Sequence, residues 1–591
     1  MPDINSLPDI STLSDIETHF KVFAGPGAGK TRWLISHLER VLLESNRLHK
    51  TSKIACITYT NVAAEEILNR LKSDKSRFDI STIHSFLYRN VIKPFSYLIE
   101  NTDDGELLFD TSNLDGHDEH IPRRDIINSW ISKISEGSTQ YWYLSSAENY
   151  SKLVKCLSDT NWFFGEDGIL KIKFRNQWTN ATASEIRMPS SKLFEYKQVS
   201  WRKGILHHED VLYFSHFILS RSTRIIEFIR AKFPYIFIDE FQDTTELQTW
   251  LIEKITERHT KVGIVGDIAQ SIYKFTGAKR SDFIDFKRGE VSEFKLNYNH
   301  RSTKRIIDFL NLLRSDINQE YGQGQPDGVS IKVLVGTIQS AKAWYERNFP
   351  DSPLYILTRK NDTVSEINNR IGAAANANLL NDLYSNDTNQ QRVRLMHSLL
   401  TSFRFHKKGD LKNALNEIYK SLRRASGTSV LKLSLRRLAI KIIDSLQSDA
   451  NRNKSVAEFY LELRTEVLAD YGFNIGSNLS RGNAKTFYEK HSLNEILPYV
   501  KVDTKSDDQV RTIHSAKGTE FENTLVHFET ASEFRNYILD GQNHIDDTED
   551  DCRIYYVGCS RAMNRLFISI PVISQNDKDK LDAINVEYET V

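Results

Sequence analysis

Residues 24–31 read Ala24-Gly25-Pro26-Gly27-Ala28-Gly29-Lys30-Thr31, and this stretch decides the fold. It follows a short apolar segment, Phe20 to Phe23, that reads as a buried strand. It precedes a helical stripe of Leu34, Leu38, Val41 and Leu42. Gly25, Gly27 and Gly29 let the backbone between strand and helix turn inward with no Cβ in the way. The N–H groups of such a turn can ring a β-phosphate at a helix N-terminus, where the dipole favours anions. Lys30 adds a positive charge near the β- and γ-phosphates, and Thr31 offers a hydroxyl to magnesium. Ala24 stands where the usual phosphate-loop pattern begins with glycine.

About two hundred positions later, Tyr235-Ile236-Phe237-Ile238 reads as a second apolar strand, and Asp239-Glu240-Phe241-Gln242-Asp243 follows it. Ligands of open α/β sheets bind beyond the carboxyl ends of strands, so two acids at this point suit chemistry. Asp239 is expected to hold magnesium, and Glu240 to polarise an attacking water as general base.

Further segments occur in a fixed order. They are Thr58-Tyr59-Thr60-Asn61-Val62-Ala63-Ala64, Ser81-Thr82-Ile83-His84-Ser85-Phe86 and Gly266-Asp267-Ile268-Ala269-Gln270-Ser271-Ile272-Tyr273-Lys274-Phe275-Thr276-Gly277-Ala278. Leu296 to Ser302, Thr512-Ile513-His514-Ser515-Ala516-Lys517-Gly518-Thr519-Glu520-Phe521 and Tyr556-Val557-Gly558-Cys559-Ser560-Arg561-Ala562 complete the series. With the phosphate loop and the acidic run, these resemble the ordered motifs of superfamily 1 helicases of the UvrD/PcrA/Rep type. The stretches between them carry no such signal.

The resemblance implies roles by position. Gln270 would sense the γ-phosphate, and Arg301 and Arg561 would reach the same phosphate from a second lobe. A guanidinium suits this because its planar fork stays charged and grips phosphate oxygens bidentately. Arg32 and His300 would sandwich the adenine, and Glu520 would touch the ribose. Tyr59, Tyr273 and Phe275 would stack on unpaired bases, a contact that tolerates any sequence. Thr82, His84 and His514 would touch the strand. ATP and magnesium are the implied cofactors, and single-stranded DNA and duplex junctions the implied partners.

The chain also departs from the pattern. No Gln precedes Gln140, so the glutamine that reads the adenine edge upstream of the loop is missing. His300 replaces Tyr, Phe275-Thr276 replaces Trp-Arg, Thr519 replaces Leu, and Ser560 replaces Thr. The loss at Phe275-Thr276 removes stacking area and one cation.

The chain has 591 residues, enough for several domains, with 40% hydrophobic and 26% charged residues, a globular profile. Lys plus Arg equals Asp plus Glu at 78 each, so a nucleic-acid track would require a local basic groove rather than a basic chain. Cys56, Cys156, Cys552 and Cys559 show no paired ligand spacing, which argues against zinc, an iron–sulfur cluster or a disulfide framework. No apolar run approaches membrane-spanning length and no signal peptide is apparent, so a cytoplasmic protein with no membrane partner is expected. The short tail after Ala562 leaves no room for a fused nuclease.

The expected fold is α/β: two RecA-like parallel-sheet lobes with the ATP cleft between them, each interrupted by an accessory insertion. Residues 1–89 and 200–290 form the first lobe, 90–199 its insertion, 291–385 and 500–591 the second lobe, and 386–499 a helical insertion. The first insertion is aromatic-rich, with Trp130, Trp142, Trp162 and Trp178; the second carries a stripe of Leu411, Ala414, Leu415, Ile418 and Leu422. Two functions fit this layout. One is an ATP-dependent 3′→5′ translocase and helicase on single-stranded DNA. The other is a DNA-activated ATPase switch that regulates a separate nuclease subunit, as in compact UvrD-like subunits of antiphage defence systems.

Overall fold

The computed structural model describes residues 5–6, 13, 15–114, 117, 122, 124–136, 140–175, 186, 188–286, 290–371, 379–387, 389–407, 409–426, 432–497, 500, 509–541 and 551–591. Two all-parallel sheets carry the molecule. The first has seven strands in the spatial order Asn5–Ser6, Val291–Leu296, His19–Ala24, Lys261–Gly266, Tyr235–Ile238, Ile54–Thr58 and Phe78–Thr82. Its central strands are buried along their whole length, as in Ile54–Thr58 and Tyr235–Ile238. That is why they read as continuous apolar runs instead of alternating ones. The second sheet has six strands, ordered Val510–Thr512, Tyr355–Thr358, Phe521–His527, Ala562–Ile570, Lys332–Val335 and Glu587–Thr590.

These sheets are the two RecA-like lobes, and the motifs sit where parallel sheets present ligands. The phosphate loop follows Ala24, the Tyr59 segment follows Thr58, and the His84 segment begins at Thr82. Asp239 follows Ile238, and Asp267 follows Gly266. One boundary differs from the expected division. Val291–Leu296, assigned above to the second lobe, pairs in register with His19–Ala24 of the first sheet. The chain crosses to the second lobe only after completing this strand.

The insertion at 90–199 contributes the antiparallel hairpin Thr160–Phe164 with Leu170–Phe174 and the helices Arg124–Ile134, Ala147–Ser158 and Ser190–Trp201. Trp130 and Trp162 share one hydrophobic core with Phe23 and Ile57 of the first sheet. Trp162 stacks on Tyr213 at 4.4 Å between ring centroids. Trp142 is 51% exposed, and Trp178 lies outside the described residues. Lys197 and Asp210, both fully buried, form an ion pair of 2.9 Å between Ser190–Trp201 and the helix His208–Arg221.

Residues 368–508 form a compact unit of their own, wider than the 386–499 expected. Its helices Gln390–Lys407, Leu411–Ser426, Lys432–Gln447 and Val456–Tyr471 pack around a separate core. Ala414, Ile418 and Leu422 of the predicted stripe are fully buried, whereas Leu411 is exposed. Among the described residues, no helix is long and apolar enough to cross a membrane.

Candidate ATP site and strand-binding face

The phosphate loop turns through two left-handed glycines, Gly27 at φ 70° and Gly29 at φ 74°, and the helix Lys30–Glu44 starts directly after them. Glycine is required at position 27 for a second reason. A Cβ there would stand 2.4 Å from Asn299 Oδ1 and 2.8 Å from Arg301 Cβ, so the second lobe's arginine segment lies against the loop. The His300 N–H donates to the Gly27 carbonyl at 2.9 Å, and Gln319 Nε2 donates to the Pro26 carbonyl at 2.8 Å. Asn299 Nδ2 in turn donates to Gln319 Oε1, while Asn299 Oδ1 accepts from the Arg301 N–H at 2.9 Å. A buried amide pair therefore joins the loop of one lobe to the arginine of the other.

Lys30 Nζ lies 3.1 Å from Glu240 Oε1. Burial opposes its charge, but Glu240, Asp267 and Asp239 together hold it above the ordinary lysine range. Glu240 adopts φ 53°, a left-handed conformation unusual for a non-glycine residue and costing on the order of 1–3 kcal/mol. The strain turns its carboxylate toward Lys30, with Gln242 Nε2 donating to the other oxygen at 2.5 Å. Burial works against the Glu240 carboxylate, yet Lys30 and Lys517 hold its pKa below the usual range. Burial and the Glu240 charge push neighbouring Asp239 up. The two acids are thus driven apart, one kept charged as a base and the other short of a cation. This matches a base beside a metal-binding carboxylate. Asp239 and Thr31 are the residues suited to hold magnesium.

Gln270 is 3% exposed and is gripped from both ends. Its Nε2 donates to Asp267 Oδ2 at 2.7 Å, and its Oε1 accepts from Arg561 Nη2 at 2.9 Å. Arg561 is itself buried, and burial and the nearby Arg301 pull its pKa down to about 9. It stays protonated at neutral pH, in a pocket short of negative charge. Arg301 pairs with Glu520 and donates from Nη1 to the Ser560 carbonyl at 3.3 Å, while its buried Nε has no partner. Two desolvated guanidiniums, one with an orphaned donor, fit a phosphate group. Glu520 here engages Arg301. Arg32 is exposed on the first helical turn, and the His300 ring lies 3.8 Å from where a Gly29 Cβ would stand.

Beside these groups, Tyr59 and Tyr273 stack on each other at 5.0 Å with 17° between planes. Lys517 Nζ sits 4.7 Å over the Tyr273 ring, and His514 lies beside it at 6.2 Å. The expected platforms come together, with these faces occupied by one another. The side chain of Phe275 lies outside the described residues. Thr82 caps the helix Ile83–Leu87 by accepting from the Ser85 N–H. His84 is not presented as an open contact. Its ring stacks on His208 at 4.0 Å, near His117, and its Nε2 is buried without a hydrogen-bond partner. The reason is His208, at the start of the helix His208–Arg221, together with His117 of the first insertion at 6.4 Å.

Matches to known families agree with this geometry. Residues 9–289 match the UvrD/REP helicase N-terminal domain, and residues 473–572 match the UvrD-like helicase C-terminal domain. This chain belongs to the UvrD/REP helicase family. It is 24% identical to Gabija protein GajB of Bacillus cereus (strain HuB5-5), over 92% of this chain and 91% of that protein. It is 26% identical to ATP-dependent DNA helicase PcrA of Bacillus subtilis (strain 168), over 51% of this chain and 38% of PcrA. It is 27% identical to ATP-dependent DNA helicase Rep of Buchnera aphidicola, over 54% of this chain and 46% of Rep. The chain thus spans less than half the length of PcrA and Rep but nearly all of GajB.

Sequence reasoning passed over several residues that complete the site. Gln242 and Lys517 stand inside motifs quoted above, so their presence was visible but their roles were not. Lys517 crosses the cleft to Asp243 and to the Gln270 carbonyl. Gln319 and Arg314 lie in no motif, and nothing in the local sequence singles them out.

Proposed function

We propose that this chain is an ATP-driven motor that moves 3′→5′ on single-stranded DNA and separates duplexes ahead of it. The observation that carries the reading is the Arg561–Gln270 contact, which brings a second-lobe guanidinium onto the first lobe's phosphate side. Lys30, Arg301 and Arg561 are each engaged by a protein oxygen, on Glu240, Glu520 and Gln270 respectively. An incoming triphosphate offers each a stronger anion. Lys30 then releases Glu240 to polarise water, and the two arginines draw the second lobe onto the γ-phosphate. Bound magnesium, held by Thr31 and Asp239, would neutralise charge on the triphosphate. Hydrolysis removes the group that the arginines share with the first lobe, and the lobes part. Tyr59 and Tyr273 stack on the first lobe while Lys517 of the second lobe lies over the Tyr273 ring, so lobe movement covers and uncovers that ring.

The test is ATP hydrolysis with and without single-stranded DNA, and displacement of strands from 3′-tailed and 5′-tailed duplexes. Stimulation together with displacement of the 3′-tailed substrate alone is the expected result. Lys30→Ala should abolish turnover and leave strand binding intact; normal hydrolysis by this variant would sink the site assignment. A second reading rests on the likeness to Gabija protein GajB across nine tenths of the chain. In it the chain is a DNA-activated ATPase that governs a separate nuclease in phage defence. Stimulated hydrolysis without displacement would favour that reading.

A further inference from the structure

Beyond the residues proposed to meet the phosphate, the second lobe carries a fully buried cation whose place in the reaction follows from its partners. Arg314 stands just past the helix Lys304–Leu312, among the core residues of the second lobe, and is shielded from solvent. Every donor of its fork is used. Nε and Nη2 hold the Asp316 carboxylate at 2.8 and 2.7 Å. Nη1 and Nη2 hold Asp267 of the first lobe at 3.3 and 3.1 Å, and Nη1 also donates to Tyr556 Oη at 2.9 Å. Asp316 alone balances the guanidinium charge. The fork therefore has a second carboxylate to serve, and that carboxylate belongs to the opposite lobe.

Asp267 is where the chain of contacts turns toward the reaction. It accepts from the Ala269 N–H at 3.1 Å and from Gln270 Nε2 at 2.7 Å. Both bonds are accepted by Asp267, so Gln270 turns its NH2 end toward it. Its Oε1 then faces Arg561. Arg561 and Asp267 thus hold the two ends of one amide, and a shift of the Asp267 carboxylate moves the Gln270 oxygen with it.

We propose that Arg314 is a positioning residue for ATP hydrolysis: by clamping the Asp267 carboxylate it holds the Gln270 amide in place against Arg561 and the γ-phosphate. The proposal rests on the nucleotide-site reading above. It makes Gln270 a hydrogen-bond acceptor in the site, suited to the proton of an attacking water rather than to a phosphate oxygen. It also makes the lobe seam part of the chemistry, because parting of the lobes pulls Arg314 from Asp267 and releases the amide.

The experiment measures single-strand-stimulated ATPase kinetics on the full chain. Arg314→Lys keeps the charge but replaces the five-donor planar fork with a shorter-reaching ammonium that cannot hold Asp316 and Asp267 each through two bonds. It should lower kcat about tenfold, with KM for ATP within about twofold, at temperatures below its melting transition, which the lost buried hydrogen bonds lower. Asp267→Asn, which leaves the Arg314–Asp316 pair in place, should reproduce the loss. Tyr556→Phe removes the third contact of Arg314 without touching Asp267, and should stay within about twofold. In a Gln270→Ala background, Arg314→Lys should lower kcat no further. Full activity of Arg314→Lys, or a loss that multiplies with Gln270→Ala, would overturn the proposal. If Gln270→Ala alone hydrolysed ATP normally, the nucleotide-site reading would fall first.

Discussion

The tetrapeptide Thr-Ile-His-Ser occurs once in each lobe, at residues 82–85 and 512–515. Both copies end a parallel strand and start a helix. In both, the threonine caps the turn by accepting from the serine N–H, at 3.4 Å in the first lobe and 3.2 Å in the second. Both isoleucines are buried. Local sequence has produced the same local structure twice. The histidines nevertheless end in different company. His84 is pressed against His208 and His117, with a buried, unpartnered nitrogen, whereas His514 lies beside Tyr273 on the face that carries the aromatic stack. The turn is a local product, and the use of its histidine is decided by what the fold brings over it.

The contrast can be broken most directly by truncating each histidine. His84→Ala should cost about 3 kcal/mol of stability in chemical denaturation, because it leaves a hole under His208. His514→Ala should leave stability nearly unchanged and weaken single-strand affinity about tenfold, roughly 1.4 kcal/mol and within the range of one base-stacking contact. If the two variants exchanged these phenotypes, the distinction drawn here would be wrong.

Acid sharpens the same contrast. Burial and the charges around it hold His84 well below its ordinary pKa, and burial and Arg40 push His37 down to about 3. Both stay neutral when folded, while the unfolded chain takes up protons near pH 6.5. Stability is therefore full above pH 6.5 and falls as pH drops below it, by about 1.4 kcal/mol per pH unit for each group. His37→Phe, which keeps a ring against Trp33 and Phe20, should flatten the fall of the urea midpoint between pH 6.5 and 5. An unchanged slope would remove His37 from the account. The smallest effect tests the shared half of the comparison. Thr82→Val and Thr512→Val should each cost about 1 kcal/mol, equally in the two lobes.

Much of the site was legible because its conformations are local. Gly27 and Gly29 announce a left-handed turn, and an apolar run ending in Asp239-Glu240 announces a strand with acids at its tip. The two sheets followed from the same logic of buried runs separated by helical stripes. What stayed hidden depends on distant partners. Gln319 reaches a carbonyl 293 residues away, and Arg314 meets Asp267 across 47 positions and a change of lobe. No periodicity encodes such a meeting. The strand Val291–Leu296 was misassigned for a related reason: a run of intermediate burial at a sheet flank says nothing about which sheet it joins.

The aromatic insertion was set off from its lobe by sequence position, yet Trp130 and Trp162 lie in the same hydrophobic interior as Phe23 and Ile57. The described core residues of this insertion are therefore joined to the first sheet, as an arm built on it rather than a separate unit. Under the proposed ATP-driven movement of the lobes, the reach of that arm from the sheet would set how far a strand held against it is carried.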